Sequence, residues 1–275
     1  TTGVNGGRVY AYHVNDTSAA PLPPTAPVSS PAPSPTPTPG PAPAPIPAPI
    51  SSNLLYPGPS AGNGSAGSLV QSGWFSGSGN GYTVSLPNAV TKGNTLVVSI
   101  IGWFGTTALA PSDGVNTYVK STEIGSSGSY AQDGAVYYAH NIAAGTLRVY
   151  INGGSGAVIA GVAVMEIKGD FVSDSFAWNS AISGSADSGA TTLSSANGFA
   201  VGLIESKYSN VDTPGTGWIK IGGNDGLYMY RQLTSAGLYR ATGNFTYNPW
   251  ESLIVTFKPV IIPPISTPVF IAGDF

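Results

Sequence analysis

Short apolar runs rich in Val, Ile, Tyr and Thr recur along residues 68–258, and clusters of Gly, Asn, Asp and Ser separate them. Runs of β-branched and aromatic residues bounded by turn residues are typical of β-strands. No segment combines a helical period with helix caps. The pattern therefore predicts strands only, which we place near residues 68–71, 82–86, 95–103, 117–121, 135–140, 146–151, 158–168, 173–179, 199–205, 227–233, 237–241 and 253–258.

Two of these runs indicate how the strands are layered. Leu147, Val149 and Ile151 alternate with Arg148 and Tyr150, which is the pattern of a half-buried strand. The run 158–167 is almost continuously apolar, as expected for a central strand covered on both faces. Short strands without helices predict an all-β fold, a two-sheet antiparallel sandwich of jelly-roll-like form.

Residues 21–49 interrupt this picture, because they hold fourteen of the 24 prolines of the chain. Proline fixes φ and removes the backbone donor, so the run builds neither a helix nor the interior of a sheet. Polyproline II remains, a semi-rigid spacer that spans roughly 90 Å if fully extended. With the Gly/Ser-rich residues that follow, we assign 21–67 as a linker and 68–258 as the sandwich domain.

The segment before the linker, residues 1–20, contains one β-rich run that closes on a turn signal. A single short strand is not stable alone and needs a sheet to join. We therefore predict that residues 1–20 are an anchoring strand, with Val9, Tyr10, Tyr12 and Val14 contacting a partner.

The segment after the sandwich, residues 259–275, is apolar, broken by proline, and carries a single charge. Its prolines exclude it from a central strand, which leaves an extended arm laid along a surface. The partner-binding prediction places Ile261, Ile262, Val269 and Phe270 in that contact. The alternative is that the segment packs back on its own sandwich.

Composition excludes several functions. Charged residues make up 8% of the chain, the net charge is −3, and no basic run is present, so nucleic acid is not expected as a principal partner. No apolar stretch reaches the length of a membrane span. The first residues lack the pattern of a signal peptide, so we expect a leader that was removed or release by lysis. The absence of cysteine excludes disulfides and thiolate metal sites.

Catalytic residues are few. A Ser-His-Asp arrangement needs a histidine, and the chain has His13, in the anchoring strand, and His140, at the end of a predicted strand before a turn. Glu166 and Glu205 lie on apolar strands and are the carboxylate pair to consider for glycoside hydrolysis. Positions at the edge of the core or facing solvent explain both more simply. We predict no catalytic residues.

Two turns offer oxygen ligands for a metal. Residues 112–116 and 222–226 each contain an Asp and an Asn, but neither supplies the six to eight oxygens that calcium prefers. Asp and Asn in such turns ordinarily bond to their own backbone. We predict no metal and no cofactor.

Aromatic residues are the clearest binding signal. Trp74 and Phe75 lie between Ser/Gly clusters and are interpreted as a loop that contacts a glycan or a neighbouring subunit. Trp103, Trp218 and Trp250 are interpreted as core, because large sandwiches need aromatic side chains to fill their interiors.

Four sequence pieces of the predicted sandwich carry a resemblance. They are Asn94-Thr95-Leu96-Val97-Val98 before Trp103, residues 112–118, residues 137–146 and Val164-Met165-Glu166-Ile167-Lys168-Gly169. In order and spacing they resemble a recurrent β-sandwich module of phage structural proteins and of secreted or surface bacterial proteins, over roughly residues 68–258. The resemblance implies a sandwich scaffold used for display or binding on a particle or cell surface, without assigned catalysis.

Taken together, these features favour a non-enzymatic structural protein of a bacteriophage virion, of the capsid-decoration, cement or fibre kind. The terminal arms would bind other virion proteins, such as a major capsid protein or tail and fibre subunits, and the chain is expected to be a homo-oligomer on the particle surface. A glycan on the host surface is a further expected partner. The alternative is a secreted or surface carbohydrate-binding module with the proline run as its linker.

Overall fold

The computed structural model describes residues 67–104, 109–125, 132–154, 156–206, 213–223 and 226–261. These residues belong to one unit of the chain, Ala48–Phe275. They contain strands and turns but no helix, and every strand pairing among them is antiparallel. The strands are β1 (Leu69–Gly79), β2 (Gly81–Ser85), β3 (Thr95–Trp103), β4 (Ala110–Ser112), β5 (Val119–Ile124), β6 (Asp133–Ala139), β7 (Arg148–Asn152), β8 (Val158–Ile167), β9 (Phe171–Asp187), β10 (Thr191–Leu193), β11 (Gly198–Ser206), β12 (Thr213–Pro214), β13 (Ile219–Gly222), β14 (Gly226–Leu233), β15 (Gly237–Tyr239) and β16 (Thr242–Pro259).

The strands form two larger and two smaller sheets. Sheet A has the order β1-β8-β3-β6-β5, and sheet B has the order β2-β7-β4. Sheet C contains β12-β16-β11-β14-β13, with β9 paired to β16, and sheet D joins β10 to β15. The first half of the chain therefore supplies sheets A and B, and the second half supplies sheets C and D.

An apolar core lies between sheets A and C. Alternate residues of a strand point to opposite faces, and one set from each sheet meets here. Val97 of β3 and Met165 of β8 come from sheet A, whereas Phe199 of β11 and Phe257 of β16 come from sheet C. The rings of Phe199 and Phe257 stack with centroids 4.6 Å apart. The two larger sheets thus form a β-sandwich.

The other face of each larger sheet is also buried. Leu96, Val98 and Ile100 of β3 pack with residues of sheet B, including Val149 and Ile151. On the far side of sheet C, a third cluster joins Ala200 and Ile254 to Leu193 of sheet D and to two tryptophans, Trp218 and Trp250. The middle strands of sheets A and C are consequently covered on both faces, which is why β3, β8 and β11 are buried at nearly every position.

These layers confirm several predictions from the sequence. The all-β, antiparallel class is confirmed, and β8 is buried at all but its first residue, as its continuous apolar run indicates. In β7, Val149 and Ile151 are buried while Arg148 and Tyr150 are exposed, as the alternation predicts. Leu147 precedes that strand and is 48% exposed, contrary to expectation. The sequence predicts two sheets, and the structure contains two further, smaller sheets. The smaller sheets are present because each larger sheet has a second apolar face to bury.

Several predictions lie outside the described residues. These are the anchoring strand with Val9, Tyr10, Tyr12 and Val14, the linker 21–67 except Gly67, His13, and the partner-contact residues Ile262, Val269 and Phe270. Ile261, the last described residue, is 78% exposed. Among the described residues there is no helix long and apolar enough to cross a bilayer.

Candidate functional site

Three buried acidic residues come together at one end of the core between sheets A and C. Glu205 near the end of β11 is opposite Glu251 of β16, and Asp133 begins β6. All three are 5% exposed or less. Side chains of directly opposite residues in an antiparallel pair share a face, with Cβ atoms about 5 Å apart. The side chains of Glu205 and Glu251 therefore point toward the core between sheets A and C, and the neighbouring residues on those faces of β11 and β16 are apolar.

Gln132 completes this cluster. Its backbone N–H donates to Glu205 Oε2 over 2.8 Å. Glu205 Oε1 and the side-chain oxygen of Gln132 accept no hydrogen bond from any described residue. Together with Asp133 and Glu251, these groups line a cavity of about 10 Å³, whose lining also includes apolar side chains such as Leu203 and Leu253. That space holds about one water molecule.

The electrostatics of the cluster favour a bound proton. Burial raises the pKa of Glu205 to about 8, and the negative charges of Glu251 and Asp133 add to that effect. The hydrogen bond from the Gln132 backbone acts in the opposite direction but is weaker. At neutral pH, Glu205 is therefore predominantly a neutral carboxylic acid.

Glu166, the other carboxylate singled out from the sequence, has a different environment. It is fully buried on β8, and its oxygens accept three hydrogen bonds. Oε1 accepts from the Thr91 backbone N–H over 2.8 Å and from Asn94 Nδ2 over 2.6 Å, and Oε2 accepts from Gln71 Nε2 over 2.6 Å. Such a fully satisfied network fixes three segments to one another. Its role in the fold is structural.

Glu166 and Glu205 do not form a pair. Glu166 is opposite Leu96 near the start of β3, whereas Asp133, beside Glu205, is opposite Gly102 near its end. Six residues of strand separate the two levels, which is about 20 Å. The separation exceeds what either glycosidase mechanism uses. Of the two positions predicted for these side chains, facing solvent was wrong, because both are buried, whereas Glu205 does lie at the edge of the core. The carboxylate beside Glu205 is Glu251.

His140 follows the end of β6, where the sequence places it. Its Nδ1 lies 2.9 Å from Asp170 Oδ1, and its side chain is 44% exposed. The pair joins the turn after β6 to the connection between β8 and β9. No serine hydroxyl of the described residues is bonded to this ring, so the arrangement matches an exposed polar residue at a strand end.

The turn at 112–116 is organised by Asp113. Its Oδ1 accepts from the backbone N–H groups of Val115 and Asn116 over 2.9 and 2.7 Å, and its Oδ2 accepts from Asn116 Nδ2 and Thr146 Oγ1. Burial raises the pKa of Asp113, but these hydrogen bonds outweigh it and hold the pKa below its usual value. The Asx turn predicted for this segment is confirmed.

The Asp113 bonds lead to a prediction. Asp113→Ala removes the acceptor of five donors, the Tyr118 hydroxyl included, and is expected to lower the free energy of unfolding by about 2 kcal/mol. Asp113→Asn keeps one carbonyl oxygen for the two backbone donors and is expected to cost about half as much. Urea denaturation at pH 7 measures both. Equal stability of the two variants and the wild type would contradict this account of the turn.

Metal ligands are sparse in the described part of the chain. No three side chains of His, Cys, Asp or Glu lie close enough there to hold an ion. The second candidate turn, 222–226, includes residues 224 and 225, which lie outside the described residues. The expectation of no metal stays a prediction.

Trp74 and Phe75 lie within β1, not in a loop. The Trp74 indole packs against the core between sheets A and C, in the space that a Cβ at Gly222 would occupy. The Phe75 ring lies 4.0 Å, centroid to centroid, from that of Tyr82. Both side chains are partly buried and engaged within the fold, and their contact with a glycan or a subunit stays a prediction.

Of the tryptophans interpreted as core, two are confirmed. Trp218 and Trp250 are buried, and their indole N–H groups donate to the Arg240 carbonyl and to Ser183 Oγ. Trp103, the last residue of β3, is 45% exposed, so its interpretation as core was wrong.

The sequence analysis missed an exposed apolar row on β9. Phe176, Trp178 and Ile182 are 49%, 43% and 58% exposed, and they alternate along one face of the strand. The spacing of Phe176 and Trp178 by two was the available signal, but the Ser/Ala/Gly residues after them read as a turn.

No protein-family model, curated protein or solved structure matches this chain. The all-β sandwich character rests on the structure itself, and the resemblance to phage and surface modules gains no further support from these comparisons.

Proposed function

We propose that this chain is a non-enzymatic structural protein of a bacteriophage virion, of the capsid-decoration, cement or fibre kind, which attaches through its terminal segments and displays the sandwich. The observation that carries the proposal is the composition of residues 21–49, a proline-rich run of the kind that forms semi-rigid spacers, between a short N-terminal segment and the β body. A stiff spacer of this composition suits a body that is displayed from a point of attachment.

The described body supports the proposal in a second way. The polar groups that the sequence offered as catalytic or metal-binding candidates are used within the fold: Glu166 in a satisfied network, Asp113 in a turn, and Glu205 in a buried acidic cluster. A scaffold built in this manner suits a task that depends on stability and surface rather than on a reaction.

We also propose jelly-roll-like winding for part of the body. From β1 to β4, successive strands alternate between sheet A and sheet B, and β6, β7 and β8 do the same. Alternation between two facing sheets is the feature that jelly rolls share. The carbohydrate-binding alternative stays a prediction, since Trp74 and Phe75 contact other residues of the fold.

The experiment is a comparison of particle association. Phage particles assembled with the tagged full chain are separated on a density gradient from free protein, and the same is done for a variant that lacks residues 1–20. We expect the full chain with the particles and at least a tenfold smaller bound fraction for the truncated chain, because that segment supplies the anchoring strand.

A matched control deletes residues 31–40, which shortens the spacer and leaves both ends intact. It should remain particle-bound. Recovery of the full chain only as free protein would overturn the proposal.

A further inference from the structure

The exposed row on β9, hereafter the β9 stripe, consists of Phe176, Trp178 and Ile182. In the pairing with β16, Phe176 is opposite Val255 and Trp178 is opposite Leu253. Val255 and Leu253 belong to the core between sheets A and C. Opposite residues of an antiparallel pair share a face. The β9 stripe is therefore a continuation of the inner face of sheet C.

The stripe is exposed because sheet A is narrower than sheet C at this edge. The strand of sheet A next to β9 is β5, which is six residues long against seventeen in β9. A contact of 2.5 Å between the hydroxyls of Ser121 and Ser173 places β5 over the beginning of β9. No described strand of sheet A pairs with β9, and beyond that contact Phe176, Trp178 and Ile182 remain 49%, 43% and 58% exposed.

The chain leaves the sandwich beside this uncovered face. Pro259 is opposite Phe171, the first residue of β9, and the Val260 backbone N–H donates to the Asp170 carbonyl over 2.9 Å. Ile261 follows and is exposed. The segment 262–275 therefore starts at the beginning of β9, about 17 Å along the strand from Phe176 and about 36 Å from Ile182.

The reach and chemistry of that segment fit the stripe. Its fourteen residues span up to about 46 Å when extended, which is enough to pass from the start of β9 to Ile182. It is apolar and carries one charge, at Asp274. Pro263, Pro264 and Pro268 lack the N–H groups that continuous pairing to a strand edge requires, but they do not prevent packing over a face.

We propose that residues 262–275 fold back over the β9 stripe of the same molecule and complete the apolar layer between sheets A and C. Attachment within one molecule is favoured because the segment begins next to its site, which gives it a high effective concentration there. This proposal goes beyond the proposed function and reduces the segments available for attachment. If residues 262–275 cover the β9 stripe, attachment of the chain to a larger particle depends on residues 1–20.

The test places a photo-activated benzophenone amino acid at position 176 in the full chain. After illumination and digestion, mass spectrometry identifies the segment that it has captured. We expect capture of residues 262–275 in a product of monomer mass, with a yield unchanged by tenfold dilution. The matched control carries the same amino acid at Leu238 of sheet D, which is 72% exposed. Capture of 262–275 from there should be at least tenfold weaker.

Every other result overturns the proposal. A product of dimer mass that disappears on dilution would assign the stripe to a second copy of the chain, and capture of residues 1–66 would assign it to the other end. No capture within the chain would leave the stripe to an external ligand such as a glycan.

A second measurement does not depend on the cross-linker. Truncation after Ile261 should lower the urea midpoint of the full chain, and the change should be much smaller when Phe176→Ser and Trp178→Ser are already present. Equal losses in both backgrounds would contradict the contact. If residues 1–20 provide the attachment, truncation after Ile261 should leave particle association unchanged. The test of the contact and the test of the proposed function can therefore fail independently.

Discussion

Replacing Glu166 by alanine is expected to lower the free energy of unfolding by about 4 kcal/mol. The change removes the acceptor shared by the Thr91 backbone N–H, in a partly buried bond, and by the buried side-chain amides of Asn94 and Gln71. Each buried donor left without a partner costs about 1–3 kcal/mol, and the vacated volume adds to the loss. Urea denaturation at pH 7 measures the change, and the melting temperature should fall by roughly 10 °C.

Glu166→Gln is the matched control for this prediction. It conserves the shape and one acceptor oxygen, but it turns an N–H group toward a donor, so about half of the loss is expected to remain. An alanine variant within 1 kcal/mol of the wild type would show that the network does not hold β8 to the preceding segments. The burial of a carboxylate at Glu166 would then need another explanation.

Stability is also expected to fall as the pH rises from about 4.5 to about 8, because of Glu205. Its pKa is near 4.3 in an unfolded chain and about 8 in the fold, so the folded state binds the extra proton between these values. Unfolding then becomes easier as the pH rises, by up to about 1.4 kcal/mol per pH unit from this group. Above the folded pKa, Glu205 contributes no further change.

Glu205→Gln isolates this contribution. The amide resembles the protonated acid, so the variant should match the wild type near pH 4.5 and exceed its free energy of unfolding by about 4 kcal/mol at pH 8.5. Glu251 and Asp133, the acidic neighbours, remain in both proteins. Glu123→Gln, at a partly exposed carboxylate paired with Lys120, serves as the control and should show no such trend. A constant difference between the Glu205 variant and the wild type across this pH range would refute the raised pKa.

The individual strands were largely predictable because each is encoded by a local pattern. The predicted strand 95–103 coincides with β3, and the predicted 158–168 ends one residue beyond β8. The end of β9 was not predictable in this way. Residues 180–185 are rich in Ser, Ala and Gly, yet they continue the strand because they pair with β16. Tertiary pairing overrides local preference there.

The candidate site was predictable only in part. Glu205 stood out as a carboxylate on an apolar strand, and that signal is local. Its neighbour Glu251 did not, since the predicted last strand began at residue 253 and the register of β11 with β16 depends on sheet order. Glu205 and Glu251 are buried for the same reason. Alternation along a strand shows which residues share a face, but the sheet that lies opposite decides which face is buried.

The order of the sheets along the chain also bears on how the protein is made. The outer core of sheets A and B uses residues up to Val164, and the outer core of sheets C and D uses residues from Ala186 onward. During synthesis, the first half can consolidate before the second has left the ribosome. The remaining step resembles the docking of two subunits across one apolar interface. A polypeptide cut in the short connection at 168–170 would then be expected to reassemble from its two pieces.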